Sequence, residues 1–243
     1  MGEWVNWRMR RETLDDRRET RFGQCFRASN GVCPQLARLA KETLRKEMRA
    51  RRKRLTPAEK VRASASVNAQ ILRRADVRTA LAASGCGGVL AVYLASPDEI
   101  DLSDCIREML DRGVTVAAPR WNGETYELAH VKSLDAADLR TGPMKILEPK
   151  EGDPVRPADV SVWLVPGLAF TRRGGRLGYS GGWYDQLLAA SAASSVRLGV
   201  AHPFQMVAEL PQEPHDVRLT DVVTAEAKGV KLALEGGATR IQP

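Results

Sequence analysis

No apolar run in this 243-residue chain is long enough to cross a bilayer. The longest, Val89 to Ala95 behind Gly87–Gly88, falls far short of the ~18 residues a spanning helix needs. No basic segment followed by an apolar one opens the sequence, so a secretory leader is not expected either. Cysteine is scarce: Cys25, Cys33, Cys86 and Cys105 form no C-x-x-C pair and show no zinc spacing. A chain of this size can bury a core without disulfide staples, so four free thiols are expected, two of them in the core. Aromatics amount to 5% of residues. The basic front end therefore lacks the interleaved rings of a nucleic-acid stacking platform. That front end is nevertheless marked: residues 1–60 carry 17 Lys/Arg against 8 Asp/Glu, and the remainder carry 20 against 22. We read it as solvated charge. The expectation is a soluble, cytoplasmic, monomeric protein with no nucleic-acid or membrane partner.

What is present fits a globular α/β chain. Hydrophobic residues make up 43% and charged residues 28%, close to ordinary averages. Residues 1–34 mix both charge signs with little periodicity and read as an appended, flexible N-terminal extension, or as the product of a misplaced start codon. Leu36, Leu39, Leu44 and Met48 recur at helical spacing up to about Leu55. Thr56-Pro57-Ala58-Glu59 then combines an N-cap, a first-turn proline and a capping-box acid, predicting a helix from there to about Ala82. After Gly85–Gly88, short apolar runs at 89–95, 114–119, 161–165, 196–201 and 222–224 predict buried strands. Helical stretches at 102–112 and 183–193 lie between some of them. The alternation predicts a mostly parallel sheet with flanking helices in a single Rossmann-like domain over residues 35–235, and Gly236-Gly237 opens a polar tail at 236–243 that is expected to be flexible.

The densest chemical feature is Gly174-Gly175-Arg176-Leu177-Gly178-Tyr179-Ser180-Gly181-Gly182-Trp183-Tyr184-Asp185. Glycines let backbone amides approach an oxyanion closely. Arg172, Arg173 and Arg176 offer guanidinium forks, and Asp185 offers a carboxylate to a phosphate-bridging Mg²⁺. The loop is neither Walker A nor G-x-G-x-x-G. Gly178-Tyr179-Ser180-Gly181-Gly182 also matches G-x-S-x-G, the nucleophile elbow of serine hydrolases. An elbow serine sits directly at the end of a buried strand, whereas here the apolar run stops at Phe170 and arginines and glycines intervene. No histidine follows Asp216, so a triad would have to use Asp185 with His202 or His215.

These residues also carry a resemblance. Pro166-Gly167-Leu168-Ala169-Phe170, Gly175-Arg176-Leu177-Gly178 and Gly182-Trp183-Tyr184-Asp185 resemble the signature of the 5-formyltetrahydrofolate cyclo-ligase (5,10-methenyltetrahydrofolate synthetase) family. So, in the same order, do Lys41-Glu42-Thr43-Leu44-Arg45, Leu94, Asp98-Glu99-Ile100, Ile146-Leu147-Glu148-Pro149 and His215-Asp216. The likeness runs over about residues 36–226. It departs from the family at Ser180 and within Met144-Lys145, where glycine is usual, and at Thr171, where an acid is usual.

The resemblance implies a ligase of folate one-carbon metabolism that uses ATP with Mg²⁺ as cofactor. It places Lys41, Arg45, Arg176, Leu177, Gly178, Tyr179, Ser180, Gly181, Gly182, Trp183 and Tyr184 at ATP. It places Arg45, Leu94, Glu99, Tyr179, Ser180, Gly181, Gly182 and Trp183 at the folate. Arg45, Arg176 and Tyr184 would be catalytic, and Asp185 and Asp216 would hold the metal. Two other readings stand beside it: a serine hydrolase using Ser180, and a non-catalytic nucleotide- or folate-binding relative. Residue by residue, Lys41 and Arg45 would otherwise be a solvated helix face, and Glu99 an acid at the start of the helix near Leu102. For that last purpose Asp101 or Ser103 would suffice. His202 reads as a structural hydrogen-bonder, and Trp121, Trp163 and Tyr126 as packing residues.

Overall fold

The computed structural model describes residues 34–83, 87–179, 181–211 and 216–225. The chain divides into two compact units, residues 1–40 and 41–243. Of the first, only the opening turns of helix α1 (Pro34–Lys53) are described. The expected extension ahead of Pro34, the tail at 236–243, Cys25, Cys33, Cys86, Ser180 and His215 lie outside the described residues.

Helix α2 (Pro57–Arg73) starts as its sequence dictates. Thr56 Oγ1 accepts from the Glu59 N–H at 3.3 Å, and Glu59 Oε2 accepts from the Thr56 N–H at 2.9 Å. It does not run on to Ala82. Arg74 is extended, with φ −64° and ψ 126°, and a second helix, α3 (Ala75–Ala82), follows it. The Arg74 side chain bridges the break. It holds Asp76, at the start of α3, at 2.7–3.0 Å and Asp221 at 2.8 Å. Those two carboxylates raise its pKa further, the Asp76 hydrogen bond first among the causes and burial opposing.

The main sheet takes the order β11-β10-β7-β1-β2-β3-β6. These strands are β1 (Val89–Ala91), β2 (Thr115–Trp121), β3 (Tyr126–His130), β6 (Pro154–Val155), β7 (Val160–Val165), β10 (Val196–Ala201) and β11 (Asp221–Thr224). The five strands from β11 to β2 pair in parallel, and β3 and β6 add antiparallel ones. Two small hairpins complete the element list: β4 (Leu139–Thr141) with β5 (Leu147–Pro149), and β8 (Ala169–Phe170) with β9 (Arg176–Leu177). The α/β reading holds, with strand β1 much shorter than its apolar run. The antiparallel strand β3 is an addition to it. Its signal is Asn122-Gly123, whose asparagine Oδ1 accepts the N–H groups of Glu124 and Thr125 at 3.0 Å while Gly123 takes φ 111°.

Side-chain alternation divides the core. Leu90, Val92, Val116, Val162, Leu164, Leu198 and Val200 face one way, against Val67 and Ile71 of α2, Val77 and Leu81 of α3, and Ile106 and Met109 of helix α4 (Ser103–Asp111). Ala91, Ala117, Trp163, Val165 and Ala201 face the other way, against Tyr184, Leu187 and Leu188 of helix α5 (Trp183–Ala189). Cys105 is a free, buried thiol of the first layer, pushed up to about 12 chiefly by burial.

The chain passes from β1 to β2 on one side and then returns to β7 on the other. Strand order therefore reverses at β1, and the crevice beyond the carboxyl ends of β1 and β7 is where open sheets of this kind bind ligands. The β8–β9 turn beside it demands a glycine. Gly174 has φ +80°, and a Cβ there would collide with the Leu219 carbonyl oxygen. Gly174→Ala is expected to cost ~3 kcal/mol or more in stability. A thermal unfolding curve unchanged by this substitution would show that the turn relaxes freely.

Candidate active site

At that crevice lies a cleft of about 580 Å³. Well-separated stretches contribute to its walls, among them Lys41 and Arg45 from α1; Tyr93, Leu94, Ser96 and Glu99 after β1; and residues from Arg176 to Asp185. Of the residues singled out in the sequence, Lys41, Arg45, Leu94, Glu99, Arg176, Leu177, Gly178, Tyr179, Gly181, Gly182, Trp183, Tyr184, Asp185 and Asp216 all line it. Arg172 and Arg173 do not; they are exposed in the β8–β9 turn.

The cations of the cleft are each held by a polar partner. Arg45 Nε donates to the Gly178 carbonyl at 3.0 Å. Lys41 is 9% exposed and pairs with Asp216 at 3.7 Å. Neither belongs to a solvated helix face. Arg176 is the most enclosed: it donates to Asp185 Oδ1 at 2.6 Å and to the Pro166 carbonyl at 3.3 Å, and lies 5.6 Å from the centre of the Tyr184 ring. Glycine is favoured at 182, where φ is +67°, and at 178 a Cβ would stand 3.0 Å from Arg176 Nη1, so that the guanidinium would have to shift slightly.

Glu99 is 7% exposed. Its Oε2 accepts from the Ser96 N–H at 3.0 Å and the Ser96 hydroxyl at 2.9 Å, and its Oε1 accepts from the Tyr179 hydroxyl at 2.9 Å. Helix α4 does not use it. There the Asp101 carboxylate accepts from the Ser103 N–H and hydroxyl, as the sequence allowed. Burial first, then the charge of Glu99, raises the pKa of Tyr179, so this phenol stays a donor. Burial likewise raises Tyr184.

Several cleft residues escaped the sequence reading. Tyr126 is a cleft wall instead of a packing residue, stacked on Trp183 with ring centres 4.7 Å apart and raised in pKa by burial. Trp163, by contrast, is core, as expected. Glu148 also lines the cleft, buried, accepting from the Trp121 N–H at 3.1 Å and Arg140 Nε at 2.8 Å. Only Gly142 leaves it room, since a Cβ at 142 would overlap its carboxylate. Lys145 lies on the rim at φ +58°, the left-handed region that glycine prefers. Arg52, buried behind Glu99 and Tyr179, is taken up below. Asn122-Gly123 is the available signal for Tyr126, and the Ile146-Leu147-Glu148-Pro149 motif the one for Glu148; nothing in the local sequence distinguishes Arg52.

Of the candidate hydrolase triad members, Ser180 and His215 lie outside the described residues. The Asp185 oxygen is taken by Arg176, and among the described residues no histidine lines the cleft. His202 is buried, stacked against Phe204 at 5.5 Å, its pKa held down to about 4 by burial and then by the charges of Arg52 and Lys60. Folding thus keeps it neutral, whereas the unfolded chain binds a proton near pH 6.5. Stability should fall as pH drops from about 6.5 toward 4, by ~3 kcal/mol at most from this group. Denaturant titrations at both ends of that window should show a smaller loss in His202→Gln; equal losses would contradict the assignment.

Asp185 and Asp216 are two of the four carboxylates that line the cleft and could hold a divalent cation; Asp185 pairs with Arg176 at 2.6 Å and Asp216 with Lys41 at 3.7 Å. Among the described residues no cluster of three or more His, Cys, Asp or Glu forms a self-sufficient metal site. A pair of carboxylates suits Mg²⁺, which takes one or two protein carboxylates and completes its shell with water and a substrate's phosphate oxygens.

An open, mostly parallel sheet with a cleft at its switch point is the α/β frame in which small molecules are commonly bound. A family model for the 5-formyltetrahydrofolate cyclo-ligase family matches residues 37–225. The 5-formyltetrahydrofolate cyclo-ligase of Haemophilus influenzae is 28% identical over 187 residues, covering 75% of this chain and 96% of that one. The one from Mycolicibacterium smegmatis is 42% identical over 66 residues, a stretch spanning 34% of that protein. The NMR structure of Aquifex aeolicus 5,10-methenyltetrahydrofolate synthetase matches with a TM-score of 0.64 at 27% identity, covering 81% of this chain and 99% of that one. The chain belongs to the 5-formyltetrahydrofolate cyclo-ligase family and is, by that membership, a ligase. Among the described residues, no helix is long and apolar enough to cross a membrane.

Proposed function

We propose that the protein converts 5-formyltetrahydrofolate to 5,10-methenyltetrahydrofolate, with Mg-ATP consumed and ADP and phosphate released. The observation that carries this reading is the convergence of Lys41–Arg45, Leu94–Glu99 and Arg176–Asp185 on one cleft. Neither ligand's residues are contiguous in sequence, yet all face a common space large enough for both reacting ends.

A formamide oxygen is a weak nucleophile and leaves poorly as hydroxide. In the proposed reaction it attacks the γ-phosphorus of ATP and ADP departs. Nitrogen 10 then adds to the activated formyl carbon and loses its proton, and the oxygen leaves as phosphate. Phosphoryl transfer asks the protein for alignment and charge, with no protein nucleophile. Lys41, Arg45 and Arg176 supply the positive charge, and the backbone from Gly178 through Gly182 lets the phosphates approach. Tyr184 backs the Arg176 guanidinium. Asp185, with Asp216, would hold Mg²⁺, which when bound offsets phosphate charge. Leu94, Tyr126 and Trp183 give the pterin apolar walls, and Glu99 accepts from its N–H groups.

Ser180 separates this reading from hydrolysis. Ser180→Ala should keep most ATP-dependent turnover, and Ser180→Gly should equal or exceed the parent, because the loop acts through its amides. A nucleophile would instead lose about 10³-fold or more in either variant. Ester hydrolysis lost in both, with no cyclisation by the parent, would overturn the proposal.

A further inference from the structure

Arg52 has no part in the reaction above, and it does not line the cleft. It is nevertheless 4% exposed on a helix otherwise crowded with solvated bases. Its Nη1 donates to the Tyr179 hydroxyl, and its Nη2 donates to the Gly167 carbonyl at 3.0 Å. The same carbonyl accepts from the fully buried Gln205 at 2.8 Å. Nη1 also lies 3.7 Å from Glu99 Oε1, the oxygen to which Tyr179 donates. The guanidinium stands 5.7 Å from the centre of the Tyr179 ring. Its Nε, also buried, has no partner among the described residues.

Burying a guanidinium is costly, and an ion pair recovers that cost only when its geometry and hydrogen bonds are good. A leucine would pack the same space without the penalty. What the arginine adds is charge and direction. It offsets the buried carboxylate of Glu99 and pins the Tyr179 hydroxyl between a donor and an acceptor. Ser96 supplies two donors to Oε2 and Tyr179 one to Oε1, so about one of the four acceptor positions of the carboxylate stays available, on the Oε1 side.

We propose that Arg52 is a positioning residue for substrate selection: through Glu99 and Tyr179 it sets the orientation in which the cleft accepts an N–H-bearing heterocycle, the pterin end of the folate. The inference rests on the cyclo-ligase reading and concerns the folate side of the cleft only.

The test is calorimetric titration with 5-formyltetrahydrofolate, and separately with a non-hydrolysable Mg-ATP analogue. The proteins are the parent, Arg52→Lys, Arg52→Leu, Glu99→Gln and the Arg52→Leu/Glu99→Gln double variant. Arg52→Leu should weaken folate binding about tenfold or more, as for a lost charge-assisted hydrogen bond, with the nucleotide analogue affected no more than about threefold. Arg52→Lys should recover part of that loss. In the Glu99→Gln background the further change at Arg52 should cost less than about threefold, because its partner charge is already gone. Should Arg52→Leu fail to fold, Arg52→Lys against the parent and the double variant against Glu99→Gln give the same comparison. Equal loss of both ligands, or the same folate loss whether or not Glu99 is charged, would overturn the role of Arg52 while leaving the cyclo-ligase reading in place. A parent that binds no 5-formyltetrahydrofolate would end both.

Discussion

Asp185→Asn should lower ATP-dependent cyclisation by roughly 10²–10³-fold, the scale seen when a group stabilising transition-state charge is removed. The substitution keeps the shape of the side chain and its acceptor toward Arg176, which lies 2.6 Å away. What it removes is the negative charge facing a cation. The loss should therefore concentrate in metal use: the Mg²⁺ concentration giving half-maximal rate should rise, and excess Mg²⁺ should restore part of the activity. Binding of 5-formyltetrahydrofolate without nucleotide should stay within about threefold of the parent. Equal weakening of both ligands would instead mark Asp185 as a brace for Arg176 with no part in holding the metal.

The second large effect is expected at Glu99. Glu99→Gln replaces one acceptor oxygen by an NH₂ group in a side chain that is almost wholly buried. Ser96 and Tyr179 present three donors to that carboxylate, so the amide must set one N–H group against another donor or turn it toward the ligand. Either arrangement removes the acceptor a pterin needs, and folate affinity should fall about 10- to 100-fold, the range for an unpaired buried polar group. It also strands the Arg52 charge, so the variant should be less stable by a few kcal/mol. Affinity for the nucleotide analogue should stay within about threefold. Lost nucleotide affinity with unchanged folate binding would move Glu99 to the phosphate side.

What the sequence disclosed follows from how far each signal reaches. The capping box at Thr56 and Glu59 spans three residues, and it forms as written. Buried strands announce themselves as apolar runs, so the five parallel strands were legible, though not their ends. Arg74 shows the first limit. Nothing local forbids a helix there, yet the chain turns, and the side chain at the turn pairs with Asp221, 147 positions away. Glycine-loop residues were found because their types are rare in combination. Arg52 was not, because it sits among Arg49, Arg51, Lys53 and Arg54, and only tertiary packing makes it the buried member of that run. Glu148 and Tyr126 were missed for a related reason: each becomes a cleft residue through a hairpin whose pairing sets which face it shows. The departures from the family pattern also gain local meaning. Lys145 occupies a left-handed turn, and Thr171 Oγ1 accepts from the Gly175 N–H at 3.0 Å within the β8–β9 turn.

The central claim is that this cleft couples ATP cleavage to closure of the folate ring, and one assay addresses it directly. Purified full-length protein, Mg-ATP and 5-formyltetrahydrofolate are combined, methenyl absorbance and ADP are followed together, and each component is omitted in turn. The account predicts methenyl product and ADP in equal amounts, and neither when ATP, Mg²⁺ or the folate is left out. Methenyl product without ATP, ADP without methenyl product, or binding of both ligands with no turnover would contradict it.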